Sequence, residues 1–222
     1  MKLLNSFVSP FAARVRLAIY AHGLPVEIVP SGQWLPNYEK SPDYLAINPI
    51  GRVPTLVFDD GTALPESGVI VEYLADAFPD CGLRPPEPRA AAQARLCAQL
   101  IEHYVQMPAG PLFGQIFAPE RDQRRIEECV RAMDQGLSHL DHFMADDMFT
   151  GRISTADCAL APFLFFFANR MTAAFGVPAI IGHHPKVASY WRSVQHEASV
   201  AKVLAEMRDA IRGSRLSMLV TD

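Results

Sequence analysis

The sequence has 222 residues, of which 50% are apolar and 20% are charged, and its formal net charge is −4. This composition is that of a folded globular protein and excludes extensive disorder, while the small negative charge gives no general basis for binding nucleic acid or anionic membranes. No apolar stretch approaches the roughly 18 residues that a membrane span needs, and the first residues do not resemble a signal peptide. We therefore expect a cytoplasmic protein with no nucleic-acid or membrane partner.

The four cysteines, Cys81, Cys97, Cys129 and Cys158, are widely spaced and form no Cys-x-x-Cys pair. A metal site or a dithiol centre normally needs closer spacing. The pattern therefore predicts buried free thiols.

The first 80 residues alternate strand and helix patterns. Ser9-Pro10 and Gly23 are typical of the two ends of one helix, since serine caps the N-terminus, proline fits the first turn and glycine follows the last turn. Asp59-Asp60-Gly61 predicts a hairpin turn. The patterns predict strands at 2–5, 26–29, 55–58 and 63–64, and helices at 11–22, from 41 onwards after a loop, and at 67–78.

Residues 81–88 contain three prolines and a glycine, which predicts a linker. Beyond it the strand patterns largely stop, and helices are predicted at 89–106, 121–145, 155–170, 185–196 and 199–212. We therefore predict an α/β domain at residues 1–80, a linker at 81–88 and an all-helical domain at 89–222.

Ser9 is predicted to lie where a strand passes into a helix. Free backbone N–H groups and the positive end of the helix dipole at such a place favour an anion, for example a thiolate. The alternative is that Ser9 only caps the helix, and this motif alone does not separate the two.

Residues 48–54 (Asn-Pro-Ile-Gly-Arg-Val-Pro) place a proline just before a predicted strand, where it cannot donate to the sheet. A cis Val53-Pro54 bond would present the backbone N–H and C=O of Val53 to a peptide lying alongside. A trans bond at the strand start is the alternative, because few X-Pro bonds in folded proteins are cis.

Glu66 and Ser67 lie at the head of a predicted helix. A hydroxyl and free N–H groups there can hold a carboxylate, and the neighbouring Glu66 can pair with an ammonium group. Together they would recognise an amino-acid-like end, whereas simple helix capping is the alternative.

In combination the three motifs resemble those of the cytosolic glutathione transferases of the serine type. Within that family the chain is similar to the bacterial, tau, omega and zeta classes. Residues 9–16 (Ser-Pro-Phe-x-x-Arg-x-Arg) are similar to the segment that carries the catalytic hydroxyl, and residues 48–54 to the cis-proline segment. Residues 60–67 (Asp-Gly-x-x-Leu-x-Glu-Ser) are similar to the segment that binds the γ-glutamyl group. The resemblance implies a thioredoxin-like N-terminal domain, an all-α C-terminal helical bundle and a two-fold homodimer.

The resemblance also implies a role for each matching residue. Ser9 would donate a hydrogen bond to the sulfur of glutathione, and so act as the catalytic residue that stabilises the thiolate. The backbone of Val53 would bind the cysteinyl unit. Two basic residues, Lys40 and Arg52, would lie near the glycyl carboxylate.

Glu66 and Ser67 would hold the γ-glutamyl end of the same molecule. Glutathione would thus be a co-substrate, and the implied site contains no metal. The role of a glutathione transferase would be to add the thiolate to a small hydrophobic electrophile.

The electrophile is expected against the helical domain. Aromatic and Met side chains surround a broken segment at 107–111 and form a run at 165–167, and such a set could line an apolar pocket. Plain core packing is the alternative for most of these residues, which are Tyr104, Met107, Phe113, Phe117, Phe165, Phe166 and Phe167.

Ser154 and Asp157 form a capping box, for which Ile153 would supply the hydrophobic staple. This motif is similar to the buried helix cap of the same family, so we predict a structural role for Asp157 and not an acid–base role.

Three other functions remain open. A glutathione-dependent isomerase of the maleylacetoacetate type has a similar motif, although Phe11 stands where that class usually has a cysteine. A reductase of the omega kind would need a cysteine in place of Ser9. A non-catalytic binding or regulatory protein could keep the fold, although the intact Ser9, Glu66 and Ser67 argue against it.

Overall fold

The computed structural model describes residues 1–30, 40–146 and 148–220. The loop predicted after the second strand falls mostly on residues 31–39 and lies outside the described residues.

The described residues of the first half form four strands and three helices in the predicted order. The helix α1 begins after Ser9, whose hydroxyl accepts the Ala12 N–H, and it ends at Gly23 in the left-handed conformation, as expected. The elements are β1 (Lys2–Asn5), α1 (Pro10–His22), β2 (Glu27–Pro30), α2 (Pro42–Ile47), β3 (Thr55–Val57), β4 (Ala63–Pro65) and α3 (Ser67–Ala77).

The strands form one mixed sheet in the order β2-β1-β3-β4. β1 and β2 are parallel, and β1 pairs antiparallel with β3 through Leu3 and Leu56. The strand β2 begins one residue later than predicted, because the Val26 N–H bonds to the carbonyl of Leu24 in a tight turn. This sheet with its β-α-β and β-β-α halves confirms the predicted thioredoxin-like arrangement.

The two faces of the sheet bury different residues. Leu3 belongs to the main hydrophobic core, which the sheet shares with the helical half. Leu4 points to the other face, where it packs with Val29 and Tyr44 of α2. Alternate residues of a strand face opposite sides, so β1 connects the two cores.

The second half is all helical, as predicted. Its elements are α4 (Pro88–Ile101), α5 (Met107–Ala109), α6 (Leu112–Ile116), α7 (Gln123–Phe143), α8 (Thr155–Phe163), α9 (Pro185–Val194) and α10 (Ala198–Arg212), with π-helical segments at Glu102–Gln106 and Leu164–Met171.

The two π-helical segments were predicted as parts of regular helices. Each lies within a few residues of a proline, Pro108 in one case and Pro162 in the other. Proline removes a backbone donor and clashes with the preceding turn, and an inserted residue is one way to relieve the clash. The helix predicted at 121–145 is also shorter, since α7 ends at Phe143.

The segment proposed as the linker packs against both halves. Leu83 is fully buried, and its carbonyl accepts the Thr155 N–H at 2.9 Å. Arg84 forms an ion pair with Glu72 of α3 at 2.6 Å. The segment that connects the two halves is therefore packed against both of them and is not a free linker.

The predicted capping box is present at the start of α8. The Asp157 carboxylate accepts from the backbone N–H and the hydroxyl of Ser154, and its other oxygen accepts from Tyr190 at 2.9 Å. Burial raises the pKa of Asp157, against the effect of these hydrogen bonds. Ile153 is buried beside it, so the structure gives Asp157 a role in packing α8 against α9.

All four cysteines are free thiols; Cys97, Cys129 and Cys158 are buried, while Cys81 is half-buried rather than buried as predicted. Burial raises the pKa of Cys97 to about 11 and raises that of Cys158 further. These two thiols are therefore poor nucleophiles at neutral pH. Within the three described ranges, no helix is both long enough and apolar enough to cross a membrane.

Helix α7 approaches the first π-helical segment very closely at Gly136. A Cβ atom at this position would lie 2.0 Å from the carbonyl oxygen of Tyr104. Only glycine therefore fits, and the contact fixes the segment Glu102–Gln106 against α7.

We predict that Gly136→Ala lowers the free energy of unfolding by roughly 1–3 kcal/mol, because an added methyl group must displace backbone. The matched control is Gly114→Ala in α6, where a Cβ would meet nothing within 4 Å and helix propensity should add about 0.5–1 kcal/mol of stability. Urea unfolding measures both. Equal midpoints for the two variants would contradict the close packing at Gly136.

Candidate functional site

A cavity of about 760 Å³ lies between the sheet's loop ends and the helical half. Most of its polar lining residues come from the first half of the chain, and the rings of Phe113, Phe166 and Phe167 come from the second. The lining residues are Ser6, Val8, Ser9, Pro10, Phe11, Lys40, Asn48, Gly51, Arg52, Val53, Pro54, Pro65, Glu66, Ser67, Gln106, Gly110, Phe113, Phe166, Phe167 and Leu216. All six residues predicted for the site are among them.

Ser9 lies at the junction of the β1–α1 loop and α1. Its hydroxyl oxygen accepts the Ala12 N–H at 3.2 Å, so it caps the helix. A serine hydroxyl also has one hydrogen to donate, and a cap bond leaves that hydrogen available. The two interpretations of Ser9, helix cap and donor to an anion, are therefore compatible.

Arg16, which is fully buried, anchors the loop that carries Ser9. The Arg16 guanidinium donates to Asn5 Oδ1 at 2.7 Å and to the Ser6 carbonyl at 3.3 Å, and forms an ion pair with Glu206 of α10 at 3.2 Å. Burial lowers the pKa of Arg16 to about 10, and the Glu206 carboxylate opposes the fall. The group keeps its charge at neutral pH and ties the loop to the helical half.

Arg14 has a comparable role on the other side of α1. It is almost fully buried and pairs with Glu102 at 2.9 Å. Neither Arg14 nor Arg16 is among the cavity-lining residues, so the arginines of the first motif position the site and do not line it.

The Val53-Pro54 peptide bond is cis, as predicted. Asn48 holds this segment, since its side-chain amide donates to the Arg52 carbonyl at 3.0 Å and to the Thr55 hydroxyl at 2.8 Å. The Tyr44 hydroxyl donates to the same carbonyl at 2.6 Å. The backbone beside the cavity is therefore fixed by buried side chains from α2 and its C-terminal cap.

Glu66 precedes α3 in an uncommon backbone conformation, with φ of 68° and ψ of 107°. A non-glycine residue at positive φ costs on the order of 1–3 kcal/mol, and such strain is concentrated at functional sites. Glu66 is exposed and Ser67 is buried, yet both line the cavity. The conformation therefore places a carboxylate and a helix N-terminus side by side.

The two predicted cations, Lys40 and Arg52, lie at the same end of the cavity. The Lys40 ammonium donates to the Gly51 carbonyl at 3.1 Å. Both side chains are exposed.

The apolar wall confirms only part of the predicted aromatic set. Phe113, Phe166 and Phe167 line the cavity, with Phe113 stacked on Phe166 at 5.9 Å between ring centroids. Phe165 is buried and is not among the lining residues, so core packing describes it correctly. The exposed Tyr104, Met107 and Phe117 are not among them either.

The structure adds lining residues that the sequence did not indicate. Gln106 reaches the cavity from the first π-helical segment, and Leu216 from the chain beyond α10. No local pattern singles out either residue. Gly110 belongs to the Pro/Gly-broken segment at 107–111, and this break in the helical pattern is the sequence feature that indicates that part of the cavity wall.

The lining residues supply few groups for acid–base chemistry. In the described part of the chain they include no histidine, aspartate or cysteine, and Glu66 is their one carboxylate. A nucleophilic serine needs an adjacent base. Among the described lining residues, Glu66 is therefore the one carboxylate that could serve Ser9 as a base.

Two family models match the chain, the N-terminal domain of glutathione S-transferase at residues 3–86 and its C-terminal domain at residues 120–192, and together they span more than half of the sequence. The chain belongs to the glutathione S-transferase family. The cis-proline side of the cavity and the rings of Phe166 and Phe167 lie within these matches, whereas Gln106, Gly110, Phe113 and Leu216 lie outside them.

Individual relatives agree with this family. The chain is 28% identical over 217 residues to glutathione S-transferase 3 of Zea mays, covering 92% of this chain and 93% of that protein. It is 29% identical over 174 residues to maleylacetoacetate isomerase of Pseudomonas aeruginosa, covering 74% and 80%. A crystal structure of a glutathione S-transferase from Methylobacillus flagellatus with glutathione bound is similar, with a TM-score of 0.73 and 25% identity over 91% of this chain and 98% of that chain.

Proposed function

We propose that this family member is a glutathione transferase that binds glutathione in the cavity and ionises its thiol beside Ser9, for attack on a small hydrophobic electrophile. The observation that carries the proposal is the convergence of Ser9, the cis Val53-Pro54 bond and the Glu66-Ser67 pair on one cavity. The glutathione bound to the Methylobacillus flagellatus relative supports the choice of ligand.

The proposed orientation follows from the charges around the cavity. The Glu66 carboxylate pairs with the ammonium group of the γ-glutamyl end, and Ser67 with the N-terminus of α3 receives its carboxylate. Lys40 and Arg52 bind the glycyl carboxylate at the other end. The backbone of Val53, which lines the cavity between them, binds the cysteinyl unit and leaves the sulfur next to Ser9.

Ser9 then lowers the thiol pKa by stabilising the anion. A free thiol titrates at about 8.5, and a decrease of two units corresponds to about 2.7 kcal/mol. One hydrogen bond to a charged sulfur contributes on the order of 1.5–3 kcal/mol, and the N-terminus of α1 adds about 0.3–1 kcal/mol. The hydroxyl and the helix dipole together are therefore sufficient.

The electrophile binds against the aromatic wall formed by Phe113, Phe166 and Phe167. These rings are apolar and line the same cavity as Ser9. The buried protein thiols have raised pKa values and do not compete as nucleophiles. Free cysteines are typical of a reducing compartment, which supports the proposed cytoplasmic location.

A glutathione-dependent isomerase is the second candidate, and the relative from Pseudomonas aeruginosa favours it. The same cavity could activate glutathione for either reaction. Steady-state assays with chloronitrobenzene and with maleylacetoacetate, each in the presence of glutathione, separate them. Turnover of the first alone supports the transferase, turnover of the second supports the isomerase, and binding without turnover supports a regulatory protein.

We also propose a homodimer formed through α3 and α4. These helices are joined on the surface by the ion pair between Glu72 and Arg95 at 3.2 Å. Val69 of α3 is 51% exposed and Leu96 of α4 is 37% exposed. Exposed apolar side chains on two helices that this ion pair joins offer apolar surface for an interface.

The dimer predicts the following result. In sedimentation velocity the parent should have about twice the mass of the chain, and Val69→Glu should shift it to the monomer, because two like charges would meet across a two-fold axis. Leu45→Glu, on the exposed surface of α2, is the matched control and should stay dimeric. A monomeric parent would disprove the dimer without affecting the glutathione site.

For the γ-glutamyl site, we predict that Glu66→Gln and Ser67→Ala each weaken glutathione binding by roughly 1–3 kcal/mol, the usual cost of a lost polar partner. Calorimetric titration with glutathione measures the effect. Ser189→Ala, an exposed serine of α9 outside the cavity, should bind like the parent. If both site variants also bind like the parent, the γ-glutamyl end lies elsewhere.

For Ser9, we predict that Ser9→Ala leaves glutathione affinity within a few-fold and raises the pKa of the bound thiol towards that of a free thiol. Turnover at neutral pH should fall about tenfold for each 1.4 kcal/mol of lost anion stabilisation. The loss should shrink at higher pH, where the thiol ionises without help.

The decisive measurement is the ultraviolet thiolate absorbance of bound glutathione against pH. Ser6→Ala is the matched control, since it removes another hydroxyl from the same cavity, and its titration should follow the parent. Superimposable curves for the parent and Ser9→Ala would show that Ser9 is only a helix cap.

A further inference from the structure

A cluster of metal-ligating side chains lies in the helical half, outside the cavity. Asp134 is in the middle of α7, and His183 and His184 end the 3₁₀ turn that leads into α9. The two histidines follow Asp134 by about fifty positions in sequence. The packing of α7 against this turn brings them to Asp134. None of them is among the residues that line the cavity.

Both imidazole rings direct one nitrogen at the same carboxylate oxygen. His183 Nδ1 lies 3.1 Å and His184 Nε2 lies 3.0 Å from Asp134 Oδ1. One ligand atom from each of the three residues lies within 4.8 Å of the others. The side chains of His183, His184 and Asp134 are 62%, 10% and 40% exposed, so the cluster is anchored on one side and open to solvent on the other.

These separations are close to those of a metal coordination sphere. Zinc binds histidine nitrogen and carboxylate oxygen at about 2.0–2.2 Å, so neighbouring ligands of a tetrahedral ion lie about 3.3 Å apart. The nitrogen–oxygen pairs need to separate by only a few tenths of an ångström. We propose that Asp134, His183 and His184 form a surface site for a divalent transition-metal ion such as Zn²⁺, with water as the fourth ligand.

The state of the side chains suits this ligand set. An aspartate carboxyl group is ordinarily ionised at neutral pH, which supplies the carboxylate ligand. On metal binding each neutral ring carries its proton on the nitrogen that faces away from the ion. Two imidazoles and one carboxylate favour Zn²⁺, Ni²⁺ or Cu²⁺ over Mg²⁺ and Ca²⁺, which prefer oxygen ligands.

The site would clamp α7 to the start of α9. The same two elements are already joined two turns along α7, where Asp141 accepts the backbone N–H groups of Lys186 at 2.7 Å and Val187 at 3.0 Å. This second contact holds His184 in place next to Pro185. The metal would therefore add stability and would leave turnover unchanged.

The test uses the full chain after dialysis against a chelator, titrated with Zn²⁺ in a calorimeter. We expect one equivalent to bind, and Mg²⁺ to give no heat. His183→Ala and Asp134→Asn should each weaken Zn²⁺ affinity by at least about tenfold, since even the loss of an outer-shell partner costs 10–100-fold. His196→Ala, an exposed histidine after α9, is the matched control and should bind like the parent.

A second readout is thermal unfolding. At a hundredfold excess over the dissociation constant, Zn²⁺ should raise the Tm of the parent by on the order of 5–10 °C and should raise that of His183→Ala much less. His183 is mostly exposed, so its removal should leave the fold intact, which circular dichroism verifies. A parent that does not bind Zn²⁺, or variants at Asp134 and His183 that bind it as the parent does, would overturn the proposal.

Discussion

The burial of α1 is the constraint on which the rest of the structure depends. This helix lies between the sheet and the helical half, and its small residues, such as Ala12 and Ala13, are fully buried. Its two arginines are buried with it and must be paired, because an unpaired buried charge is very costly. Arg16 pairs with Glu206 and Arg14 with Glu102, so the two halves of the chain are joined by charges on the helix whose N-terminus forms the site.

This arrangement explains how a simple hydroxyl could act on a thiol. Ser9 is held by its cap bond to Ala12 and by a loop that Arg16 anchors. Donors that are fixed before the ligand binds stabilise charge without reorganisation. On the opposite side the segment around Val53 is fixed by Tyr44 and Asn48. The free-energy cost of fixing these groups is therefore already met when the chain folds. The strained backbone of Glu66 adds to that cost.

The helical half has a different relation to function. It supplies the aromatic wall through Phe113 and the second π-helical segment, and Gly136 sets the position of the first segment, which carries Gln106. Both π-helical segments contribute to the cavity, in line with the tendency of π-bulges to occur at functional sites. The cluster around Asp134 does not line the cavity, and the metal proposed there would stabilise this half.

The sequence by itself determined the features that depend on neighbours in the chain. The caps of α1 and α8, the hairpin turn at 59–61 and the order of elements follow from bonds between residues a few positions apart and from motifs of that length. Five of the six candidate site residues lie in the three motifs, and Lys40 is implied by the family resemblance alone. Only the tertiary structure decided the lining by Gln106 and Leu216, the pairing of Arg16 with Glu206 and the meeting of Asp134 with His183. These depend on how helices pack across separations of fifty to nearly two hundred residues, which no local pattern encodes.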